Sequence, residues 1–429
     1  MHDPQGELTN PLWLLTLPQI WVFAAVALYF PVFPLFFREV GMSDGQIAVL
    51  FAVPGMIGFL ALQSWGYVAD VLLNRKWVLL VMSLLAAGVA ALFPYFTSFW
   101  ALFFLSALRA FFSDARIPMV QSLTLANRGG EKHFGPIRLF GTFSFIGLAW
   151  LVGWWADRPG GPGIFITFPL LIVMNLAMVV TMFFVKGAPR GHVHQQHEMT
   201  RPGFWHVQRT LLANPVVRTF LLFLFVYQLP HNISHGFQSV LIQDLGGDNS
   251  AAIWPVNIAA IAEIPVFIFA AGLLKKVRIV PLLLVGAIAQ VLRWSLVAAV
   301  PSIPVIYASN LFHALTFGIM YLGAVMLMNR EIPKAYRSSG QTLMTLVYSS
   351  MAGMLGPLTS AVAFRFIPGE ENDVHLWYWV AAAIAACSIP LWFLVARAYR
   401  ERHGTVRFWI GEPVSVSGIW RRGSSRSLQ

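Results

Sequence analysis

Three side chains that can carry charge lie inside long apolar stretches of the sequence: Glu263, Arg293 and His313. On predicted helices, they lie roughly 18, 10 and 15 Å from one membrane face, which is a similar depth. A carboxylic acid in a dehydrated cavity favours its neutral form, whereas a nearby guanidinium favours the carboxylate. If Arg293 approached Glu263 in one conformation and withdrew in another, the acid would release and bind a proton in turn. The alternative is a static Glu263–Arg293 ion pair that only holds helices together.

Further polar side chains recur within other apolar stretches at the helical spacing of three, four and seven residues. Lipid cannot satisfy a polar stripe, so each stripe must face protein or water. A guanidinium, imidazoles and aromatic rings suit a small polar or aromatic solute, including a carboxylate. Each residue alone could instead make a hydrogen bond between helices. The stripes are Arg138, Thr142 and Phe145; Gln228, His231, Asn232, His235 and Gln238; and Asn310, His313, Phe317 and Tyr321.

The histidines give weak support for metal chemistry. His231 and His235 have a spacing that can ligate a metal, but no carboxylate or thiolate is visible to complete the site. The three histidines within 192–197 fit a polar linker better than a metal site. With a single cysteine, Cys387, the chain cannot form an internal disulfide or a thiolate cluster. We expect neither a metal nor a cofactor.

The overall composition indicates which elements hold these groups. Hydrophobic residues make up 57% and charged residues 11% of the 429 positions, against about 45–50% and about 25% in typical soluble domains. A soluble fold of this size would need a more polar surface, so the composition predicts an integral membrane protein. The net charge of +11 would suggest nucleic acid in a soluble protein, so the placement of the positive charges decides its meaning.

Twelve apolar runs are long enough to cross a bilayer, for which about 20 residues are needed. A polar linker at 186–215 separates six runs from six, which predicts two six-helix bundles, 1–185 and 216–398, and a solvated tail at 399–429. Two such halves are typical of secondary transporters, whose site lies between the halves near the mid-plane. The runs lie near 13–37, 45–69, 77–96, 99–126, 134–156, 164–185, 216–243, 251–275, 279–300, 303–328, 339–366 and 374–398.

The positive charges are distributed unevenly between the two sides of these spans. With the N-terminus placed in the cytoplasm, 21 lysines and arginines fall in the inner loops and the tail, whereas the outer loops hold Arg38, Arg158 and Arg365. Positive charge concentrates on the cytoplasmic side of membrane proteins, so we predict an inner-membrane protein with both termini in the cytoplasm. This distribution explains the net charge without nucleic acid.

The predicted loop between the second and third spans carries a motif. Residues 66–76 read GYVADVLLNRK, with an acid at Asp70 and bases at Arg75 and Lys76. This loop resembles the signature loop of the major facilitator superfamily. The resemblance implies twelve helices in two pseudo-symmetric bundles, and a cytoplasmic gate in which Asp70, Arg75 and Lys76 latch and release. The corresponding loop at 272–278 keeps the glycine and the bases but lacks the acid.

Other segments resemble the lactose permease, phenylpropionate permease and nucleoside–proton symporter group of that superfamily. They are 134–142, 228–237, 291–294 and 313–318, together with Glu263. The resemblance implies symport, with substrate contacts on the fifth, seventh and tenth helices. From the resemblance and the polar stripes, the candidate binding residues are Arg138, Thr142, Phe145, Gln228, His231, Asn232, His235, His313 and Phe317, and the candidate proton-coupling residues are Glu263, Arg293 and His313.

Two residues depart from the lactose-permease pattern. Gln121 and Thr316 stand where that permease has acids, which disfavours a galactoside-type site. The fourth span also carries Arg109, Asp114 and Arg116. On a continuous helix Asp114 lies about 140–160° from both arginines, so we expect it to pair with another helix or to line water.

Together these observations predict a monomeric carrier that takes up a small organic solute, such as a nucleoside, an aromatic acid or a sugar, with protons by alternating access. The sequence shows no nucleotide-binding loop, so a proton gradient, or a sodium gradient in its place, would supply the energy. Its partners would be the solute and the lipid bilayer. The alternatives are proton-driven efflux or exchange of amphipathic compounds, an integral-membrane enzyme or lipid flippase, and a sensor that binds the solute without transporting it.

Overall fold

The computed structural model describes residues 10–127, 130–186, 204–276, 278–333, 336–363 and 376–404. Every secondary-structure element in these ranges is a helix. This follows from the composition, because a helix satisfies its own backbone hydrogen bonds within a bilayer. The prediction of an all-α membrane fold is confirmed.

In the first half of the chain, the described residues form eight helices. Short 3-10 turns at Phe93–Tyr95 and Gly163–Ile166, and a π-helical segment at Val68–Leu72, lie between them. The helices are α1 (Leu12–Tyr29), α2 (Phe33–Glu39), α3 (Asp44–Tyr67), α4 (Arg75–Leu92), α5 (Phe99–Ser113), α6 (Arg116–Leu125), α7 (Gly130–Ala156) and α8 (Thr167–Phe184).

In the second half, the part of the chain that the structure describes forms nine helices, with π-helical segments at Ala314–Ile319 and Leu346–Met351. Helix α9 falls in the predicted linker at 186–215. Residues 187–203 of that linker and residues 405–429 of the predicted tail lie outside the described ranges. The helices are α9 (Phe204–Ala213), α10 (Pro215–Asp244), α11 (Asn249–Lys276), α12 (Ile279–Ala299), α13 (Ile303–Leu311), α14 (Met320–Glu331), α15 (Arg337–Thr345), α16 (Ala352–Ala363) and α17 (Leu376–His403).

Nine segments of the described residues are long and apolar enough to cross a membrane. The other three predicted spans, near 99–126, 251–275 and 339–366, fall on α5 with α6, on α11, and on α15 with α16. The first of these is interrupted at Asp114–Ala115, and the last by the π-helical segment Leu346–Met351. Helices therefore occupy all twelve predicted positions, while the count of twelve spans stays a prediction.

Polar caps define where several helices begin. The Ser43 hydroxyl accepts a hydrogen bond from the Gln46 backbone amide while the Gln46 side chain accepts from the Ser43 amide, a capping box that starts α3. The side chains of Asn74 and Asn214 accept from backbone amides in the first turns of α4 and α10.

Several helices of the described residues pack across the boundary between the halves, among them α2 on α10. α3 packs on α16, and α7 packs on α11. Where α3 and α16 cross, Gly55 lies directly against the backbone of Gly353 and Met354, so close that a Cβ at residue 55 would come within 2.6 Å of the Gly353 carbonyl carbon. Small residues permit this approach of two membrane helices.

The buried apolar side chains form three clusters. One contains residues of both halves, including Phe37, Phe168, Val240 and Trp294, and lies toward the side of Arg38, which is predicted to be the outer side. The other two lie toward the predicted inner side, and each belongs to one half. The described halves thus share a core on the predicted outer side, while each has its own core on the predicted inner side.

Candidate functional site

Arg293 on α12 is fully buried, with 0% of its surface exposed. Its guanidinium donates to Asn310 Oδ1 at 2.7 Å and to Thr316 Oγ1 at 3.2 Å, and its Nη1 lies 3.0 Å from His313 Nδ1. These three partners lie three residues apart around the start of the π-helical segment Ala314–Ile319, so they face α12 together. Such π-helical segments are frequent at functional sites.

His313 connects this arginine to an acid on another helix. Its Nε2 lies 2.9 Å from Oε1 of Glu263 on α11. A guanidinium can only donate hydrogen bonds, so His313 Nδ1 must accept from Arg293, and the imidazole proton resides on Nε2. His313 Nε2–H then donates to the Glu263 carboxylate. We call this chain of Arg293, His313 and Glu263 the relay.

The relay corrects one feature of the sequence interpretation. The sequence suggested a direct approach of Arg293 to Glu263, but Glu263 pairs with His313, which lies between them. The structure brings the three residues together, whereas their order depends on side-chain positions that spacing does not define. Thr316, noted from the sequence only as a missing acid, is a hydrogen-bond acceptor for Arg293.

A ladder of nearly parallel rings extends from the relay. The His313 and Phe317 rings lie 5.2 Å apart with an interplanar angle of 5°, and the Phe317 and Tyr321 rings lie 5.9 Å apart at 4°. His231 on α10 stacks on His313 at 5.3 Å. Three of these rings are four residues apart on one helical face, which brings them into register.

Arg138, on α7, is a residue of the first half that belongs to this region. Its guanidinium lies over the Phe23 ring at 3.7 Å from the centroid and donates to Thr142 Oγ1 at 3.3 Å. Gly141 makes room for this arrangement, because a Cβ there would lie 2.7 Å from Phe23 Cδ2. Across the boundary between the halves, Glu263 lies within electrostatic reach of Arg138. The site therefore draws on both halves.

The remaining candidate binding residues differ in how far their side chains are buried. Gln228 is buried, and Asn232 is half-buried, where its Nδ2 donates to the Gln228 carbonyl at 3.0 Å. Thr142 and Phe145 are half-buried, and Phe145 packs against both the shared core and the core of the first half. The side chain of His235 lies outside the described residues.

The predicted gate loop is described in part. The side chain of Asp70 lies outside the described residues. Lys76 Nζ donates to the Phe183 carbonyl at 3.1 Å and lies 5.4 Å from the centroid of the Trp77 ring. Lys76 thus contacts α8 of its own half in this conformation, and the latch function of Asp70, Arg75 and Lys76 stays a prediction.

The charged residues of the fourth span overturn an expectation. Asp114 Oδ1 lies 3.3 Å from Arg109 Nη1, so the two form an ion pair. The sequence argument excluded this pair from the angle between the two positions around the helix. The long Arg109 side chain nevertheless reaches the carboxylate of Asp114, which follows the last residue of α5 in helical conformation. Arg116 itself hydrogen-bonds Asn175 on α8.

Sequence reasoning missed the polar contacts that join the halves on the predicted outer side. Arg38 pairs with Asp244 Oδ1 at 2.6 Å. The carboxylate of Asp157, just after α7, accepts from the backbone amides of Asn249 at 3.1 Å and Ser250 at 2.6 Å. A carboxylate is favourable at a helix N-terminus such as that of α11. The signal that pointed to Arg38 was its place among the few positive charges of the outer loops.

These features define a class of protein. Two helical halves meet at a shared core and polar contacts on one side, and a buried acid–imidazole–guanidinium chain lies where they face each other. This architecture is typical of secondary membrane transporters. The chain belongs to the MFS_1 like family, whose model matches residues 12–369.

Individual relatives support this assignment. The chain is 26% identical to a maltose permease of Geobacillus stearothermophilus, over 78% of this chain and 82% of the permease. It is 24% identical to a probable 3-phenylpropionic acid transporter of Escherichia coli K12, over 90% and 97% of the two chains. A crystal structure of the nucleoside transporter NupG shares its fold with a TM-score of 0.75 at 18% identity, covering 91% of this chain and all of that one.

The predicted superfamily and fold are therefore confirmed. The protein is a multi-pass membrane protein and a secondary transporter, and its relatives are transporters and permeases, not enzymes. The integral-membrane enzyme considered from the sequence is rejected on this ground.

Proposed function

We propose that this protein is a proton-coupled symporter that takes up a small organic solute by alternating access. The observation that carries the proposal is the relay, in which His313 joins a buried guanidinium to Glu263 between the two halves. Glu263 is the titrating group, because Arg293 occupies Nδ1 of His313 and opposes a second proton on that ring. A carboxylate that can be neutralised at mid-membrane is a typical element of proton pathways.

Protonation of Glu263 changes its contacts across the site. As a carboxylate, Glu263 accepts from His313 Nε2–H and attracts Arg138 of the other half. As a neutral acid it no longer attracts Arg138, whose full charge is then available to the solute. Proton binding and solute binding are thereby coupled, since each affects the interaction between the same two residues.

The solute would lie between the ring ladder and Arg138. A nucleoside, an aromatic acid and a sugar are the candidates, matching the names of the relatives. We propose Asp70, Arg75 and Lys76 as the inner gate in the opposite conformation, with both termini in the cytoplasm and the monomer as the functional unit. The proposed solute contacts are Arg138, Thr142, Phe145, Gln228, His231, Asn232, His235, His313 and Phe317.

Transport into proteoliposomes tests the proposal. We expect an inward proton gradient to drive accumulation of at least one of uridine, 3-phenylpropionate and maltose by the wild-type protein. Glu263→Gln should retain exchange of labelled for unlabelled solute but lose accumulation. Glu39→Gln, which changes an exposed acid at the end of α2, is the matched control and should behave as wild type.

Three results would contradict proton symport. Extrusion under the same gradient would indicate an efflux carrier. Accumulation driven by sodium and indifferent to the proton gradient would assign a different coupling ion. Binding without any exchange would indicate a sensor.

A further inference from the structure

The interiors of the described spans carry more positive than negative charge. Four arginines and two acids lie there, so the interior has two positive charges in excess when both acids are ionised. A charge at mid-membrane is costly unless it has a partner or faces a cavity. The arginines are Arg109, Arg116, Arg138 and Arg293, and the acids are Asp114 and Glu263.

Three of these arginines already have their partners inside the protein. Arg109 pairs with Asp114, and Arg293 belongs to the relay, where both of its terminal nitrogens contact polar side chains around it. Arg116 is buried, with 4% of its surface exposed, and hydrogen-bonds the amide of Asn175. Each of the three therefore has a polar side-chain partner within its own half.

Arg138 differs from them. Its contacts are the Phe23 ring and the Thr142 hydroxyl, and among the described residues no carboxylate lies within ion-pair distance of its guanidinium. It is half-buried and acts electrostatically on Glu263 and Tyr321 of the opposite half. Arg138 is thus a cation that faces the second half across the site without an acid in contact.

We propose that Arg138 binds the carboxylate of an organic anion, which enters together with one proton on Glu263. The proposal rests on the proton symport proposed above and adds the chemical class of the solute. A guanidinium offers paired N–H donors that match the two oxygens of a carboxylate. The ladder of Phe317 and Tyr321 opposite Arg138 would accept a flat ring on the same solute.

Charge balance links the two ligands. With Glu263 ionised, its negative charge competes with the anion for Arg138. With Glu263 neutral, Arg138 keeps its full charge and the anion binds more tightly. One proton and one monoanion then cross together, so the loaded carrier moves no net charge.

Binding of matched acids and amides to the purified protein tests the subsite. The probes are benzoate, 3-phenylpropionate, 4-hydroxyphenylacetate and hexanoate, each beside its primary amide. We expect at least one acid to bind about tenfold or more tightly than its amide. Arg138→Gln should abolish the difference, and Arg138→Lys should retain part of it, since a lysine keeps the charge but not the paired donors. Arg218→Gln, at an exposed arginine at the start of α10, is the control.

The competition with Glu263 gives a second readout. Acid binding to the wild-type protein should weaken as pH rises from 6 to 8.5, whereas Glu263→Gln should bind the acid with little pH dependence. If no acid in the panel binds more tightly than its amide, or if Arg138→Gln keeps the preference, the proposal is overturned.

Transport separates this proposal from the symport on which it rests. An inside-negative potential, imposed with potassium and valinomycin at equal pH, should not accelerate uptake of the acid, whereas an inward proton gradient should. Proton-driven uptake of a neutral nucleoside or sugar that the potential accelerates would overturn the anion proposal and leave proton symport intact. Preferential acid binding without proton-coupled uptake would support the Arg138 subsite and contradict the symport.

Discussion

Arg38 at the end of α2 and Asp244 at the end of α10 form an ion pair of 2.6 Å that joins the two halves of the transporter on the predicted outer side. Both side chains are partly shielded, with 24% and 13% of their surfaces exposed. The same guanidinium also donates to the Val240 carbonyl at 3.2 Å. The pair must separate whenever the outer side opens, so its strength biases the conformational equilibrium.

Removing this pair should favour the outward-open conformation. Partly exposed ion pairs contribute about 0.5–1 kcal/mol, which corresponds to a shift of roughly two- to fivefold in the ratio of the two states. We expect Asp244→Asn to produce this shift in distances between spin labels at Tyr95→Cys and Ser302→Cys, in a Cys387→Ala background. An unchanged distance distribution would show that other contacts close the outer side.

Arg158→Gln is the control for this measurement. Arg158 is also on the predicted outer side, but its guanidinium lies over the Trp154 ring of its own half, at 3.6 Å. Its replacement should leave the distances unchanged.

Gly55 should not tolerate a larger side chain. A Cβ at this position meets the backbone of Gly353 and Met354, which cannot move aside as a flexible side chain can. We expect Gly55→Ala to lower the free energy of unfolding by about 1–3 kcal/mol or to separate α3 from α16, as measured by thermal unfolding in detergent. Gly88→Ala is the matched control, because a Cβ there has no neighbour within 4 Å.

Glu331, whose side chain is 1% exposed, contacts residues at the ends of two other helices on the predicted inner side of the second half. The Glu331 carboxylate lies 2.7 Å from His403 Nε2 and 3.4 Å from Arg402 Nε, both on α17. The Glu331 backbone carbonyl accepts from Asn214 Nδ2, at the start of α10, at 3.2 Å. Loss of charged hydrogen bonds by a buried group costs about 1–3 kcal/mol. Glu331→Gln should therefore lower the unfolding temperature clearly.

An exposed acid on α17 provides the comparison. Glu401 pairs with Arg397 at 2.8 Å, but 62% and 75% of the two side chains are exposed. Glu401→Gln should leave the unfolding temperature nearly unchanged, because solvent screens an exposed pair. Equal effects of the two substitutions would contradict a stabilising function of Glu331.

The relay predicts a defined tautomer of His313. Because Arg293 donates to Nδ1, nitrogen chemical shifts of labelled histidine should report a proton on Nε2. His313→Gln can still accept from Arg293 and donate to Glu263, so it should retain part of the uptake. His313→Leu leaves both groups unsatisfied, which costs about 1–3 kcal/mol each, and should abolish coupling. A proton on Nδ1, or equal uptake by both variants, would contradict the relay.

The sequence was sufficient for the fold and for the membership of the relay. The lengths of the apolar runs predicted a helix at every span, and the charges within those runs singled out Glu263, Arg293 and His313. The polar stripes could not show how each side chain is used. Asn232 lies on the predicted stripe, for example, yet its amide donates to the Gln228 carbonyl.

Two kinds of information were beyond sequence reasoning. The reach of a long side chain decides which residues can meet, as it does for Arg109 and Asp114, whose positions around the helix alone suggested no contact. Long-range pairs such as Arg38 with Asp244 depend on how the halves dock, which periodicity within one helix does not encode.

Solute-driven proton entry tests the central claim most directly. With the pH dye pyranine inside proteoliposomes, addition of the transported solute should acidify the lumen faster than in protein-free liposomes. Glu263→Gln should exchange the solute while giving no acidification above that background. If Glu263→Gln acidified the lumen at the wild-type rate, Glu263 would not carry the proton and the proposed coupling would be wrong.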